Sequence, residues 1–205
     1  MNPIIRLAVA SCCLAFPSAM ASAATIQLDS ITSNGTDFAF TYGGTLAPTE
    51  GVKSGSQLVI YDFVGYVAGS IASLSSLISA SVALTSPGLL LAPGVTDDPS
   101  LFNLIFTYTG PNFQTTPAPI GSPYAPIAFG GLTARSIFGS VGLDGFSTLT
   151  VKNTGLAGVG TDVFSAGFVG VPTIPEPATW MMMILGIGAI GLGMRRRPNI
   201  GVAFN

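Results

Sequence analysis

Apolar and polar positions alternate in short blocks along most of this chain, and the blocks end on turn residues. TIQLDSI at 25–31 alternates, and NGT at 34–36 turns the chain into DFAFTY at 37–42. SQLVIYDF at 56–63 is rich in β-branched and aromatic residues, and SVALTS at 81–86 stops at Pro87-Gly88. LFNLIFTYTG at 101–110 is the clearest block. A period of two puts Phe102, Leu104, Phe106 and Tyr108 on one face, and a Gly-Pro stop follows. TARSIFGSVGL, GFSTLTVKN and DVFSAGFVGV complete the series. Period-two runs at this spacing predict a mainly β fold, an antiparallel β-sandwich, over residues 24–170. The stretch 68–80, AGSIASLSSLISA, departs from the pattern. Ile71, Leu74 and Ile78 recur at helical spacing while serine fills much of the rest, so a short helix and a loop are both open there.

The two ends of the chain carry a different pattern, continuous and apolar. MNPIIR holds the initiator amine and Arg6 as a short positive region, and LAVASCCLAF at 7–16 has the length of a secretory apolar core. Pro17 breaks that run and AMASAA supplies small residues for signal peptidase. Ala21-Ser22-Ala23 is the best cleavage site, giving a signal peptide of 1–23 and a mature N-terminus at Ala24; Ala19-Met20-Ala21 is the neighbouring option. The run at 7–16 is too short to remain as a membrane span.

At the other end, residues 171–177 form a proline-punctuated linker with Pro172, Pro175, Glu176 and Pro177. Trp180 follows, inside an uncharged apolar run at 178–194 that predicts one C-terminal transmembrane helix at the short end of the usual range. Arg195, Arg196 and Arg197 open a basic tail, 195–205. An interfacial tryptophan at one end and arginines at the other predict the domain outside and the arginines on the cytoplasmic side. Within the run, GIGAIG at 186–191 has the glycine spacing of a dinucleotide-binding turn. That turn needs a strand before it and an acidic residue about 20 positions later. No acidic residue follows Glu176, so the glycines read as small residues of a membrane helix, with Ala189 and Gly193 placed for close helix approach.

Composition narrows the chemistry. The chain has no histidine, which removes the usual general base, the commonest transition-metal ligand and every imidazole triad. Both cysteines, Cys12 and Cys13, fall in the signal peptide, so the mature domain folds without disulfides. Between Ala24 and Gly170 stand Asp29, Asp37, Glu50, Asp62, Asp97, Asp98, Asp144 and Asp162, against Lys53, Arg135 and Lys152. That acidic balance argues against nucleic acid as a partner.

The order of the C-terminal features is more specific than any one of them. Pro175-Glu176-Pro177, Trp180, a short Gly-rich apolar run and the Arg195–Arg197 cluster resemble the PEP-CTERM sorting signal, in the subtype whose tripeptide is followed by x-x-Trp. The resemblance covers about 25 residues. It implies a precursor held in the inner membrane of a Gram-negative bacterium with its domain on the periplasmic side. It further implies exosortase, a membrane-embedded cysteine protease, as the partner that recognises Pro-Glu-Pro and processes the protein for release or surface attachment, commonly where exopolysaccharide is made. Two departures stand out: Met181 where the subtype usually has alanine, and PNIGVAFN after the arginines. YDF at 61–63, then DDPS with LFNLIFTYTG at 97–110 and a closing strand before VP, resemble ectodomains that carry this tail, implying a β-sandwich of unassigned activity.

Inside the domain, Asp97-Asp98-Pro99 is the clustered acidic pair. It suits calcium, which takes six to eight oxygens, or a turn capping the next strand. A glycosidase would need two carboxylates facing across a cleft, and nothing in the order of residues selects a pair. Lys53, in GVKSGS, and Lys152 stand outside any S-x-x-K pattern, and Lys53 reads as a solvated turn charge. Tyr61, Phe63 and Tyr66, or Tyr108, Phe113 and Tyr124, offer aromatic platforms for a sugar, with Tyr61 and Phe63 expected on one strand face. Thr107/Thr109 and Thr148/Thr150 are isolated pairs, not the threonine array of an ice-binding face. No catalytic, metal or cofactor residue emerges. The expectation is a non-enzymatic envelope or matrix protein with a structural or adhesive role, exopolysaccharide being a partner. A carbohydrate- or calcium-binding module and a carboxylate-dependent hydrolase are the alternatives.

Overall fold

The structure, a computed structural model, describes residues 24–85, 88–113, 126–153, 159–174 and 177–195, with side chains for all of these except 177–180 and 193–195. The signal segment with Ala21 and Ala23, and Pro175, Glu176, Arg196 and Arg197 of the tail, lie outside the described residues.

Among the described residues ten strands precede one helix: β1 (Thr25–Ser33), β2 (Phe38–Leu46), β3 (Glu50–Gly51), β4 (Gln57–Phe63), β5 (Ala72–Ser73), β6 (Ile78–Ala83), β7 (Phe102–Tyr108), β8 (Ile127–Ser136), β9 (Ser140–Lys152), β10 (Asp162–Thr173) and α1 (Pro177–Arg195). They form a four-stranded sheet ordered β1-β2-β8-β5 and a six-stranded sheet ordered β10-β9-β4-β7-β6, with β3 added to β9. All pairings are antiparallel. The domain is thus mainly β, as its period-two runs predict.

The β1–β2 hairpin shows how the sequence makes these elements. Gly35 takes a positive φ of 88° and the Asn34 amide donates to the Asp37 carbonyl at 2.8 Å, closing the turn at NGT. Alternating residues then face the other sheet. Ile26, Phe40, Tyr42, Leu132 and Ala134 from the smaller sheet meet Leu58, Ile60, Phe63, Leu104, Phe106, Phe146, Val169 and Val171 from the larger one in a single core. Phe40 and Phe63 join the sheets edge to face, with ring centroids 5.6 Å apart.

The larger sheet is also covered on its outer face. Val59, Tyr61 and Ile105 form a second cluster there, with Ala83 and Leu89 against it. The connection after β6 lies over this face: the Ser147 hydroxyl donates to the Leu90 carbonyl, Val95 occupies the space above Gly145, and Ala92 is buried. Strand β4 is therefore dry on both sides, which explains why VIYDF is nearly continuous in apolar residues instead of alternating.

Several boundaries differ from the sequence expectation. Residues 68–80 are neither helix nor open loop: they hold turns, the short β5 and the start of β6, with Ile71 against the core and Leu74 exposed. Pairing of β6 with β7 decides the strand there, with Ser79 and Ser81 alternating between Ile78, Ala80 and Val82. TARSIFGSVGL divides between β8 and β9 around residues 137–139. Strand β10 runs on past Gly170 to Thr173, so 171–173 belong to the domain. Its Pro172 is tolerated because β10 is the edge of its sheet. Tyr61 and Phe63 do not share a face: Asp62 sits at φ 52° in a bulge, and that extra residue sends Tyr61 outward and Phe63 into the core.

The helix α1 starts one residue before the expected Ala178 and ends one after Met194. Its described side chains, Met181 to Leu192, are apolar and solvent-exposed all round. Among the described residues no helix is long and apolar enough to cross a membrane.

Tyr42 lies fully buried in the core, and among the described residues its hydroxyl has no hydrogen-bond partner. Burial raises its phenol pKa well above the ordinary value. Tyr42→Phe removes an unpaired polar atom without opening a cavity, and should raise stability by about 1 kcal/mol in urea unfolding. A loss of stability would place a bonded partner on that hydroxyl.

Candidate functional site

The domain presents two features at opposite ends of β4. At the β4 start, a cavity of about 330 Å³ opens between the sheets, walled by Leu46, Leu58, Phe106, Phe113, Phe129 and Leu132 among others. Tyr108 and Phe113, one of the two aromatic sets singled out in the sequence, line it together; Tyr124 lies outside the described residues. Tyr61 and Phe63 of the other set are core residues, and Tyr66 is packed edge-on between Phe63 and Phe102 at 6.3 and 5.4 Å. The sugar-platform reading therefore fails for the first set, while the second lends half-buried Tyr108 and exposed Phe113 to a largely apolar wall.

Polar groups on that wall are few. Thr148 and Thr150 stand on the inward row of β9 with Phe146. Thr150 Oγ1 donates to Glu50 Oε2 at 3.2 Å, whereas Thr148 Oγ1 is buried with no partner among the described residues. No acidic residue among the described residues lines the cavity. The two-carboxylate cleft needed for glycoside hydrolysis is not formed there.

At the other end of β4, four carboxylates gather. The Asp62 backbone amide donates to Asn103 Oδ1 at 2.9 Å, and Asn103 Nδ2 donates to Asp97 Oδ1 at 2.8 Å. Asp62 Oδ1 accepts the Asp98 amide at 3.0 Å. Asp98 in turn caps the following turn, accepting the Ser100 amide at 2.9 Å and hydroxyl at 2.7 Å. The DDP segment thus does the work of a turn cap. Among the described residues no group of three acidic, cysteine or histidine side chains is placed to hold a metal ion. Burial first, then the charges of Asp144, Asp97 and Asp98, push the Asp62 carboxyl from 3.8 to about 6, against the Asp98 amide bond that lowers it. Burial also raises Asp144, while the Ser100 bonds hold Asp98 below its ordinary value.

Lys53, expected as a free turn charge, pairs with Asp162 at 2.7 Å, and Arg135 pairs with Asp37 at 3.0 Å. Glu50 and Asp144 entered the sequence reading only in the acidic count, Asp62 there and within YDF, and Thr148 only in a threonine pair set aside as no ice-binding array. Only Asp62, a charge inside the apolar run VIYDF, left a local signal.

In the tail, Trp180 and Arg195 fall on α1, and GIGAIG lies well inside the helix. A pyrophosphate site needs the free amides of a helix's first turn, so the dinucleotide reading is excluded by placement as well as by spacing.

Residues 173–197 match the PEP-CTERM protein-sorting motif, and the chain carries that motif as its resemblance implied. A motif of this kind marks a secreted protein whose membrane-anchored precursor is processed by exosortase, itself a membrane protein. No curated protein and no solved structure matches the chain.

The raised Asp62 carboxyl fixes a sign for pH dependence. A folded-state pKa above the unfolded one contributes stability below about pH 4, and that contribution is lost as pH rises through about 6. Asn tolerates a positive φ and keeps an acceptor for the Asp98 amide. Asp62→Asn should therefore raise the melting temperature at pH 7 and flatten its fall between pH 4 and 7. The residual slope then belongs to Asp144 and Glu50, which burial also raises. Equal slopes in both proteins would remove Asp62 from the account.

Proposed function

We propose that this protein is a non-enzymatic component of the cell envelope or extracellular matrix, delivered by a signal peptide and a cleaved C-terminal tail to a structural or adhesive role among exopolysaccharide. The observation that carries the reading is the sorting motif at 173–197. The rest of the tail supports it. α1 is 19 residues long, about 28 Å at 1.5 Å per residue, close to the hydrocarbon thickness of a bilayer. An apolar surface running all round a helix with nothing packed on it calls for lipid before processing. Arg195–Arg197 at its end suit the cytoplasmic face, so the precursor sits in the inner membrane with its domain on the periplasmic side. A cavity without acidic lining and a chain without histidine support the non-enzymatic part.

A second reading, a ligand-binding module, is favoured by the cavity. Its apolar walls suit an aliphatic or aromatic molecule better than a sugar or calcium, with Thr148 contributing a buried hydroxyl that has no partner among the described residues.

Mass spectrometry of protein recovered outside the native cells tests the first reading. A C-terminus near Pro175–Pro177, with retention on isolated exopolysaccharide, is the expected result. A chain ending at Asn205 and found only in the inner membrane would overturn it. For the second, a medium-chain alcohol should raise the melting temperature of the protein, and Thr148→Val should weaken that binding about tenfold while leaving an alkane of equal size unaffected. Indifference to both probes would dismiss the cavity as a site.

A further inference from the structure

Four aliphatic side chains stand in solvent around the place where the chain leaves the domain. Strand β10 ends at Thr173, opposite Ser140 at the start of β9, and Ile174 follows. Ile174 is 61% exposed, Ile137 in the β8–β9 turn 57%, Val141 47% and Leu143 79%. The ladder explains two of these positions. Val169 and Val171 point into the core, so Gly170 and Pro172 face away from it, and so do their partners Leu143 and Val141. Gly170 cannot be exchanged for a residue that would cover Leu143, because a Cβ there would lie 2.9 Å from the Leu28 side chain and 3.1 Å from Val141. The Ile137 amide donates to the Gly65 carbonyl at 3.0 Å, which pins the turn that presents Ile137. Val141 and Leu143 lie one and three residues from the strand end, about 3 and 10 Å away at ~3.3 Å per residue. Apolar side chains scattered singly over a surface need no account, but a cluster at one end does.

We propose that this apolar rim is a second membrane contact: while α1 holds the precursor, Ile137, Val141, Leu143 and Ile174 seat in the interfacial layer of a zwitterionic bilayer around the helix. The inference rests on the reading of α1 as a membrane span. Only residues 174–176 separate β10 from the helix, so the rim is the part of the domain that the tether keeps beside lipid. The depth also fits, since interfacial elements bury their apolar side about 5–10 Å into the boundary of headgroups and chains. Charge selects the lipid. Asp144 follows Leu143 on β9 and stands close enough to Asp62, with Asp97 and Asp98, for these carboxylates to act on one another. An anionic surface is repelled by them, whereas a zwitterionic one admits the uncharged rim without opposition.

A single tether leaves the domain free to swing, and a helix plus a rim fixes which side of β10 meets the lipid. The rim is too small to hold the domain by itself. A whole myristoyl chain gives only reversible binding, so loss of α1 lets the domain come away.

The test uses the full chain in phosphatidylcholine nanodiscs. With Cys12 and Cys13 changed to serine, a single introduced cysteine carries a spin label. Leu74→Cys, at a site 88% exposed beside β5, is the aqueous reference, and Ile187→Cys on α1 is the lipid reference. A label at Leu143→Cys should collide with lipid-soluble oxygen in preference to an aqueous nickel chelate, as the Ile187 label does. Leu143→Asp should lower the seated population, read from a label at Ile137→Cys, about tenfold. Phosphatidylglycerol discs should weaken the seating, and strengthening there would overturn the part given to the carboxylates. A Leu143 label as open to nickel as the Leu74 label, beside a lipid-facing Ile187 label, would overturn the rim and leave the span standing. Shielding from both reagents with spin–spin broadening would put a second copy of the chain on the rim instead of lipid. A water-exposed Ile187 label would overturn rim and span together.

Discussion

Everything in this domain is arranged around a strand that water does not reach from either side. β4 lies between β9 and β7 and carries Leu58 and Ile60 into the inter-sheet core, Val59 and Tyr61 into the outer cluster. Its backbone is satisfied by both neighbours, so apolar cover on both faces costs little in unpaired groups. That cover requires the long connection after β6 to lie flat on the larger sheet, which in turn brings Asp97 and Asp98 to Asp62. The acidic end of the molecule is thus a consequence of packing. A charge in the middle of a dry strand needs a bulge to reach the edge of the core, and Asp62 supplies both the charge and the positive φ. Residues 24–205 hold no cysteine, which is compatible with this design, since two stacked apolar layers do the work that disulfides do in smaller domains.

The strands were legible where one face met the core and the other met solvent or a light cover. TIQLDSI, DFAFTY and LFNLIFTYTG alternate for that reason, and β1, β2 and β7 lie where those runs are. Residues 68–80 misled because Ile71, Leu74 and Ile78 happen to be spaced like a helix face, while their fates are unrelated: one packs on the core, one is exposed over Gly131, one opens β6. The shared face expected for Tyr61 and Phe63 failed at a single residue, since a bulge shifts every later side chain to the other side. Such a slip leaves no trace in hydrophobicity. The cavity was illegible for another reason. Its wall draws residues from several strands, and no stretch of sequence contains two adjacent faces of it. The tail was the opposite case, because sorting is read from linear order and so was visible in linear order.

Glu50 shows the same limit from the side of charge. In the sequence it is one acid among eight in the domain, sitting in the unremarkable turn PTEGVK. Burial alone distinguishes it, on a short strand paired with β9. Thr150 of β9 donates to its carboxylate, so β3 is held by a side chain as well as by its ladder.

The close spacing of β10 and α1 has a mechanical meaning. The strand ends at Thr173 and the helix begins at Pro177, leaving residues 174–176 between them. However that link is drawn, it cannot separate its two ends by more than about 14 Å. There is no stalk. A folded domain some tens of ångströms across must rest against whatever holds the helix, with its edge strand nearest. Whatever acts on this link must therefore reach it within about 14 Å of the end of the domain's own edge strand.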